Sequence, residues 1–426
     1  VAAEALLPAA ALLAPGAGPP AAQQVRQLLW DALLELEDLS PATGSVMTLL
    51  AEVHSSPAAA AASGDSSNNG LSQLVPRLWP FLRHGLTSVR HATVRCLSAL
   101  LRSQPAAELL PGEELQRALR LLFQCLLLER NGEVLAAAQA AWELLVQRAA
   151  PDVLAAALPA QSTLAGLFQL AATPAHSCLD ASLVLTVPLP RKRAGAGGSS
   201  KAQLAARGAA SQQQQQQEVH RRESLVVEAD GDAAHTTRMR LAAARALGQL
   251  AHAVSASSAP QHPAQTLIEQ LLRGGSATGR LLASFVVTYW VQLRSDTGDI
   301  AAAGQAAAAA HPCLQHLLAV LLEQLAAPAA AAAQSYSELA PLYAQLRSQA
   351  SGLIARALKA NVALAMPGPL EGLGHQGALA LAAQVPATAG EQWEAGSGTS
   401  HGAAHLLGCR HAFGSMPACQ YMCAGG

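Results

Sequence analysis

Two stretches of this chain open alike and continue alike. Val89-Arg90 begins VRHATVRCLSALL, and Met239-Arg240 begins MRLAAARALGQLA. In each, apolar residues return every three or four positions and so share one face of a helix. Val89, Thr93, Leu97 and Leu100 mark that face in the first; Met239, Ala243, Leu247 and Leu250 mark it in the second. A shorter apolar pattern precedes Val89 (Leu74, Leu78, Phe81, Leu82), followed by a turn at Gly85 to Ser88. Pro76 suits a first helical turn, where its missing N–H costs nothing, and Pro80 predicts a kink. Residues 113–128 and 133–149 form another helix–turn–helix unit around Asn131-Gly132, and GRLLASFVVTYWVQLR opens a further second helix.

Placing Arg90, Leu135, Arg240 and Leu281 in one slot gives separations of 45, 105 and 41 residues. A period of about 40–47 residues made of paired helices signals a HEAT or armadillo array. The physical reason is burial: one helix pair cannot cover both of its apolar faces, and stacked pairs share a continuous core. Leu74, Pro76, Leu78, Leu82, Val89, Arg90, Ala92, Leu97 and Leu100 match the common HEAT pattern. That pattern also carries a turn Asp six residues before the Arg, and the two form a ladder between repeats. Here the Asp slot before Arg90 is His84, and the one before Arg240 is Ala234, so the ladder reads as incomplete. Arg90 and Arg240 are expected to bond loop carbonyls or carboxylates of neighbouring helices.

Composition points the same way. The chain is 51% hydrophobic, 13% charged and only 3% aromatic, with Ala and Leu supplying the apolar content. Such a chain favours helices and offers little for strands, so the fold class is all-α. The longest central apolar run, LLASFVVTYWVQL, is shorter than the roughly 20 residues of a membrane span and reads as a buried helix. With 27 basic and 28 acidic residues there is no basic excess, so nucleic acid is not the default partner. Seven scattered cysteines, two of them (Cys96 and Cys125) inside helical patterns, read as free thiols of a reducing, intracellular compartment.

The expected organisation is an α-solenoid in two blocks. Residues 1–22 are expected to form a low-complexity opening, apolar but without the basic start of a signal peptide, and Val1 in place of Met reads as a fragment or an incomplete gene model. HEAT-like repeats are expected over 23–187 and again over 233–365. The Gln-rich stretch 188–232 cannot bury enough surface to offset its ordering and reads as a disordered loop; 366–426 reads as a disordered tail. Within the loop, Arg191-Lys192-Arg193 has two readings, a nuclear localisation signal or a solvated linker.

The chain offers no enzyme motif. It contains no G-x-x-x-x-G-K-[ST], and GGSSK at 197–201 has the wrong spacing, so no phosphate-cradling loop is expected. His401, His405 and Cys409 would share a helix face, with Cys419 and Cys423 after them, but they lack closely coupled ligand pairs and sit among glycines. No metal or cofactor is therefore assigned. Trp30, Trp79, Trp142 and Trp290 all fall within apolar helical patterns and read as core anchors. The structural positions singled out are Pro76, Trp79, Val89, Arg90, Met239 and Arg240.

Several segments, in order, resemble one family. LLWDALLELEDLSPATGSVMTLL, LVPRLWPFLRHGLTSVRHATVRCL, TRMRLAAARALGQLA and SYSELAPLYAQLRSQASGLI are similar to the central region of the TATA-binding-protein (TBP)-associated factors, Swi/Snf-type ATPases that remove TBP from DNA. The resemblance spans roughly residues 24–362 without the Gln-rich stretch. It implies a nuclear transcription regulator in which this segment is a non-catalytic scaffold, with TBP and the ATPase motor of the longer protein as partners, DNA only as an indirect contact, and no membrane. The rival expectation is a generic HEAT adaptor of the transport-receptor or phosphatase-scaffold type.

Overall fold

The computed structural model describes residues 2–14, 20–35, 41–55, 71–103, 110–174, 177, 179–187, 233–255, 262–296, 312–325, 339–359 and 380. The Gln-rich stretch with Arg191-Lys192-Arg193 lies outside the described residues, as does the tail with its His and Cys residues. Among the described residues every regular element is helical.

Fourteen α-helices are described, in chain order. They are α1 (Ala2–Leu6), α2 (Pro20–Glu35), α3 (Pro41–Ser55), α4 (Leu71–Leu78), α5 (Thr87–Ser103), α6 (Gly112–Leu128) and α7 (Gly132–Arg148). Then follow α8 (Pro151–Ala157), α9 (Ala165–Ala172), α10 (Ala233–Val254), α11 (Gln265–Gly274), α12 (Ala277–Asp296), α13 (Pro312–Leu325) and α14 (Ala340–Lys359). A 3-10 turn follows α1 at Leu7–Leu13, another follows α4 at Trp79–Arg83, and a π turn at Ala160–Leu164 joins α8 to α9.

The helices form two rows. In one row α3 packs on α5, α5 on α7, α7 on α10, α10 on α12 and α12 on α14. In the other, α2 contacts α4, the Trp79–Arg83 turn contacts α6, α6 contacts α8, and α11 contacts α13. Row-one helices also pack on their own partners, as α5 does on α4, α7 on α6 and α12 on α11. The core runs between the rows, and this is why the helices are apolar on more than one side. Trp30, Trp142 and Trp290 are among its largest fully buried side chains. The apolar run near the centre is the body of α12, where Leu281, Leu282, Phe285, Val286, Val287, Trp290 and Val291 are all buried. Surrounded by α9, α10, α11, α13 and α14, it has no need of a polar face. No single helix among the described residues is long and apolar enough to cross a membrane.

Two local readings change. Pro76 is not in a first helical turn: α4 begins at Leu71, so Pro76 lies inside it. Being within the first six residues, it forfeits at most one or two intrahelical bonds, which a short helix tolerates. At Pro80 the α-helix does not merely kink but gives way to the 3-10 turn, with the proline near its start. Pro41 opens α3, the position where a proline is best accommodated.

Candidate functional site: the joints between helix pairs

Arg90 is the fourth residue of α5, and its guanidinium gathers two turns. Within its own turn, Nη1 donates to the His84 carbonyl at 2.8 Å and to the Gly85 carbonyl at 3.2 Å, and Nη2 donates to Thr87 Oγ1 at 3.3 Å. Toward the next pair, Nε donates to Glu129 Oε2 at 2.7 Å and Nη2 to Glu129 Oε1 at 3.0 Å. This two-bond fork is the geometry that suits a guanidinium and a carboxylate. The bonds to Glu129 raise the Arg90 pKa above its ordinary value, against the burial that lowers it.

Glu129 caps the C-terminus of α6, and its side chain is only 3% exposed. Its Oε1 also accepts from the Asn131 N–H at 2.8 Å, and Asn131 in turn caps α7 by accepting from the Glu133 and Val134 N–H groups. One carboxylate therefore ties the α5 turn to the N-terminus of α7. Cys125, one helical turn before Glu129, is buried, and burial first and Glu129 second push its thiol up to about 12. It is an inert core residue, not a nucleophile.

The carboxylate missing from the His84 slot is thus present one repeat later. Glu129 lies six residues before Leu135, which is the fourth residue of α7 as Arg90 is of α5. The signal was in the spacing, in the Asp slot of a repeat whose Arg slot holds leucine. His84 serves its turn differently: it is buried, and its Nδ1 accepts from the Leu86 N–H at 3.1 Å, as a turn Asp carboxylate would.

The register of the pair formed by α11 and α12 also shifts by one. Arg280, not Leu281, is the fourth residue of α12, and its Nη1 donates to the Gly275 carbonyl at 2.7 Å, five residues back, as Arg90 does to Gly85. Leu281 faces the core instead. Arg240 has a different partner from Arg90. Its Nη1 donates to the Leu170 and Ala171 carbonyls, both at 3.2 Å, at the C-terminal end of α9. Burial without a carboxylate pulls its pKa down to about 10.

The remaining singled-out residues are packing positions. Val89 and Met239 are buried on their helix faces, and Trp79 is buried with its Nε1 donating to Glu114 Oε2 at 3.4 Å. Trp142 Nε1 donates to the Ala246 carbonyl at 3.0 Å, joining α7 to α10. Exposed ion pairs link consecutive members of the same row: Asp31–Arg77, Glu52–Arg95 and Glu269–His316. Each is worth little alone, but together they follow the stacking direction. Among the described residues no group of three or more His, Cys, Asp or Glu could hold a metal ion. Nothing in the joints pairs a nucleophile with a base; their chemistry is that of holding helices in register.

Residues 141–365 match the family described as Domain of unknown function (DUF3535). TATA-binding protein-associated factor BTAF1 of Arabidopsis thaliana is 30% identical over 83% of the chain and 20% of its own length. TATA-binding protein-associated factor 172 of Homo sapiens is 29% identical over 76% of the chain and 17% of its own length. TATA-binding protein-associated factor mot1 of Aspergillus fumigatus is 32% identical over 64% of the chain and 16% of its own length. The chain spans about a fifth or less of the length of these relatives. It belongs to the DUF3535 family and is a relative of the TATA-binding protein-associated factors.

Proposed function

We propose that this segment is a HEAT-type α-solenoid with no catalytic role of its own. In this reading it holds TBP-engaging parts of a longer protein in fixed relation to an ATPase motor that displaces TBP from DNA. The blocks 23–187 and 233–365 are the two halves of the strut, and its place of action is the nucleus. The observation that carries the scaffold role is the unbroken row of contacts from α3 through α5, α7, α10 and α12 to α14. Such a stack is stiff along its length yet bends elastically, which suits the transmission of a displacement. Likeness to TBP-associated factors supports TBP as the partner of the longer protein.

The test uses the full-length protein. Replacing α10 to α12 by a flexible Gly-Ser linker is expected to leave TBP capture and ATP hydrolysis in place while abolishing ATP-driven release of TBP from a DNA fragment. Release at the unaltered rate would sink the strut reading. Failure of the intact full-length protein to capture TBP would sink the TBP assignment.

A further inference from the structure

Residues 179–187 have no helix of their own, yet they are seated like a bound peptide. The segment follows α9 and folds back over α6. Leu179 and Val184 are buried, and Leu183, Leu185 and Val187 are half-buried against the core. A short turn in which Asp180 Oδ1 accepts from the Ser182 N–H (2.9 Å) and hydroxyl (2.7 Å) shapes its start.

Besides this side-chain burial, the segment is held by recognition of its backbone. Arg120 Nη2, on α6, donates to the Leu183 carbonyl at 3.1 Å. One turn further along α6, the buried Gln124 amide, turned so that its oxygen meets the Leu185 N–H, accepts from that N–H at 2.7 Å and donates to the Leu185 carbonyl at 3.0 Å. One side chain thus satisfies both main-chain groups of one residue, as a neighbouring strand would. On the other side, α9 comes close to the segment: a Cβ added to Gly166 would touch Leu183 Cδ2 at 3.4 Å.

Backbone bonds supply affinity without reading sequence, and apolar seats select only for side chains that are not charged. We propose that residues 179–187 are a strap docked in cis, and that the seat between α6 and α9 accepts an extended apolar segment of a protein partner when the strap leaves. The partner segment needs an N–H where Leu185 now sits, which excludes proline there, and it carries apolar side chains at the buried Leu179 and Val184 positions and at the half-buried Leu183 and Leu185 positions. The tether gives the strap a high local concentration, so it holds the seat until a competitor of comparable fit arrives. This chemistry does not depend on what the longer protein regulates.

The experiment uses the full chain and a fluorescein-labelled peptide of sequence LDASLVLTV, which is the strap itself. In a variant carrying Leu183→Asp and Leu185→Asp the strap is driven off, and the peptide is expected to bind at least about tenfold more tightly than to the unaltered chain. Adding Gln124→Leu is expected to weaken that binding about tenfold. A strap-out variant of unaltered helical circular dichroism that fails to bind would overturn the proposal. So would equal binding by both chains, or indifference to Gln124→Leu. Hydrogen exchange on the unaltered chain decides the matter if the variant does not fold. The Leu185 amide is expected to exchange at least about a hundredfold faster than the Leu122 and Leu126 amides of α6. Equal rates would mean that the segment leaves only when the whole array unfolds, and the strap would be refuted.

Discussion

Arg90 and Glu129, 39 residues apart, meet in a two-bond fork at 2.7 and 3.0 Å that fastens one helix pair to the next. The carboxylate is almost wholly buried and the guanidinium partly so, with 3% and 18% of their side chains exposed. Removing one partner strands the other charge away from water, a loss of about 3–5 kcal/mol. Glu129→Ala and Arg90→Ala are each expected to lower stability by about that much. The double variant Arg90→Met with Glu129→Leu is expected to recover more than half of it. Urea denaturation of the four chains measures this; additive losses would show that the pair is not coupled.

Arg240 holds the end of α9 against α10 through two carbonyls and no carboxylate. Arg240→Ala is expected to lower the melting temperature, by loss of both bonds and of the packed aliphatic stem, at a cost of about 1–3 kcal/mol. The change should fall on stability alone. An unaltered melting temperature would refute the role.

His54, at the end of α3, is buried against Trp30 with its Nε2 unbonded. Burial first, and the nearby Arg26 charge second, pull its pKa from 6.5 down to about 4. The folded state therefore holds a neutral imidazole while the unfolded chain takes up a proton. Stability is fully present above pH 6.5 and is lost as pH falls from there through about 4. The loss is of order 3 kcal/mol, because each tenfold difference in proton affinity between the folded and unfolded chain is worth about 1.4 kcal/mol. His54→Phe is expected to flatten the stability profile over that window. A variant with the same acid sensitivity as the unaltered chain would show that other groups control it.

Gly248 marks a close approach of α10 to α12. A Cβ there would lie 2.8 Å from Tyr289 Cβ and 3.0 Å from the Val286 carbonyl, both fixed parts of α12. Gly248→Ala is expected to cost about 1–3 kcal/mol by forcing the helices apart. Gly352, in α14, faces open space, and Gly352→Ala is expected to stabilise by about 0.5–1 kcal/mol through its helix propensity. Thermal melts of the two variants should move in opposite directions.

The pattern of leucines and alanines at three- and four-residue spacing was enough to place helices such as α5, α6, α7, α10 and α12, because helix period is a local property of the chain, but not the short helices α1, α8 and α9. It was also enough to single out Arg90 and Arg240, each preceded by an apolar residue and followed by the same apolar period, although Arg90 is the fourth residue of its helix and Arg240 the eighth. What the sequence alone left hidden was pairing. Glu129 belongs to a different repeat from Arg90, and only stacking brings the two together, at 2.7 Å. His84 stands where a carboxylate is usual, and its turn-capping ring nitrogen becomes visible only when the Leu86 N–H is placed opposite it. Arg280 against Leu281 is a one-residue choice that periodicity cannot make, since the two are adjacent and only the helix start decides between them. The seating of residues 179–187 has no periodic signal at all. It rests on the side chains of Arg120 and Gln124 meeting a main chain about 60 residues away, a relation that burial and geometry create and no local pattern encodes.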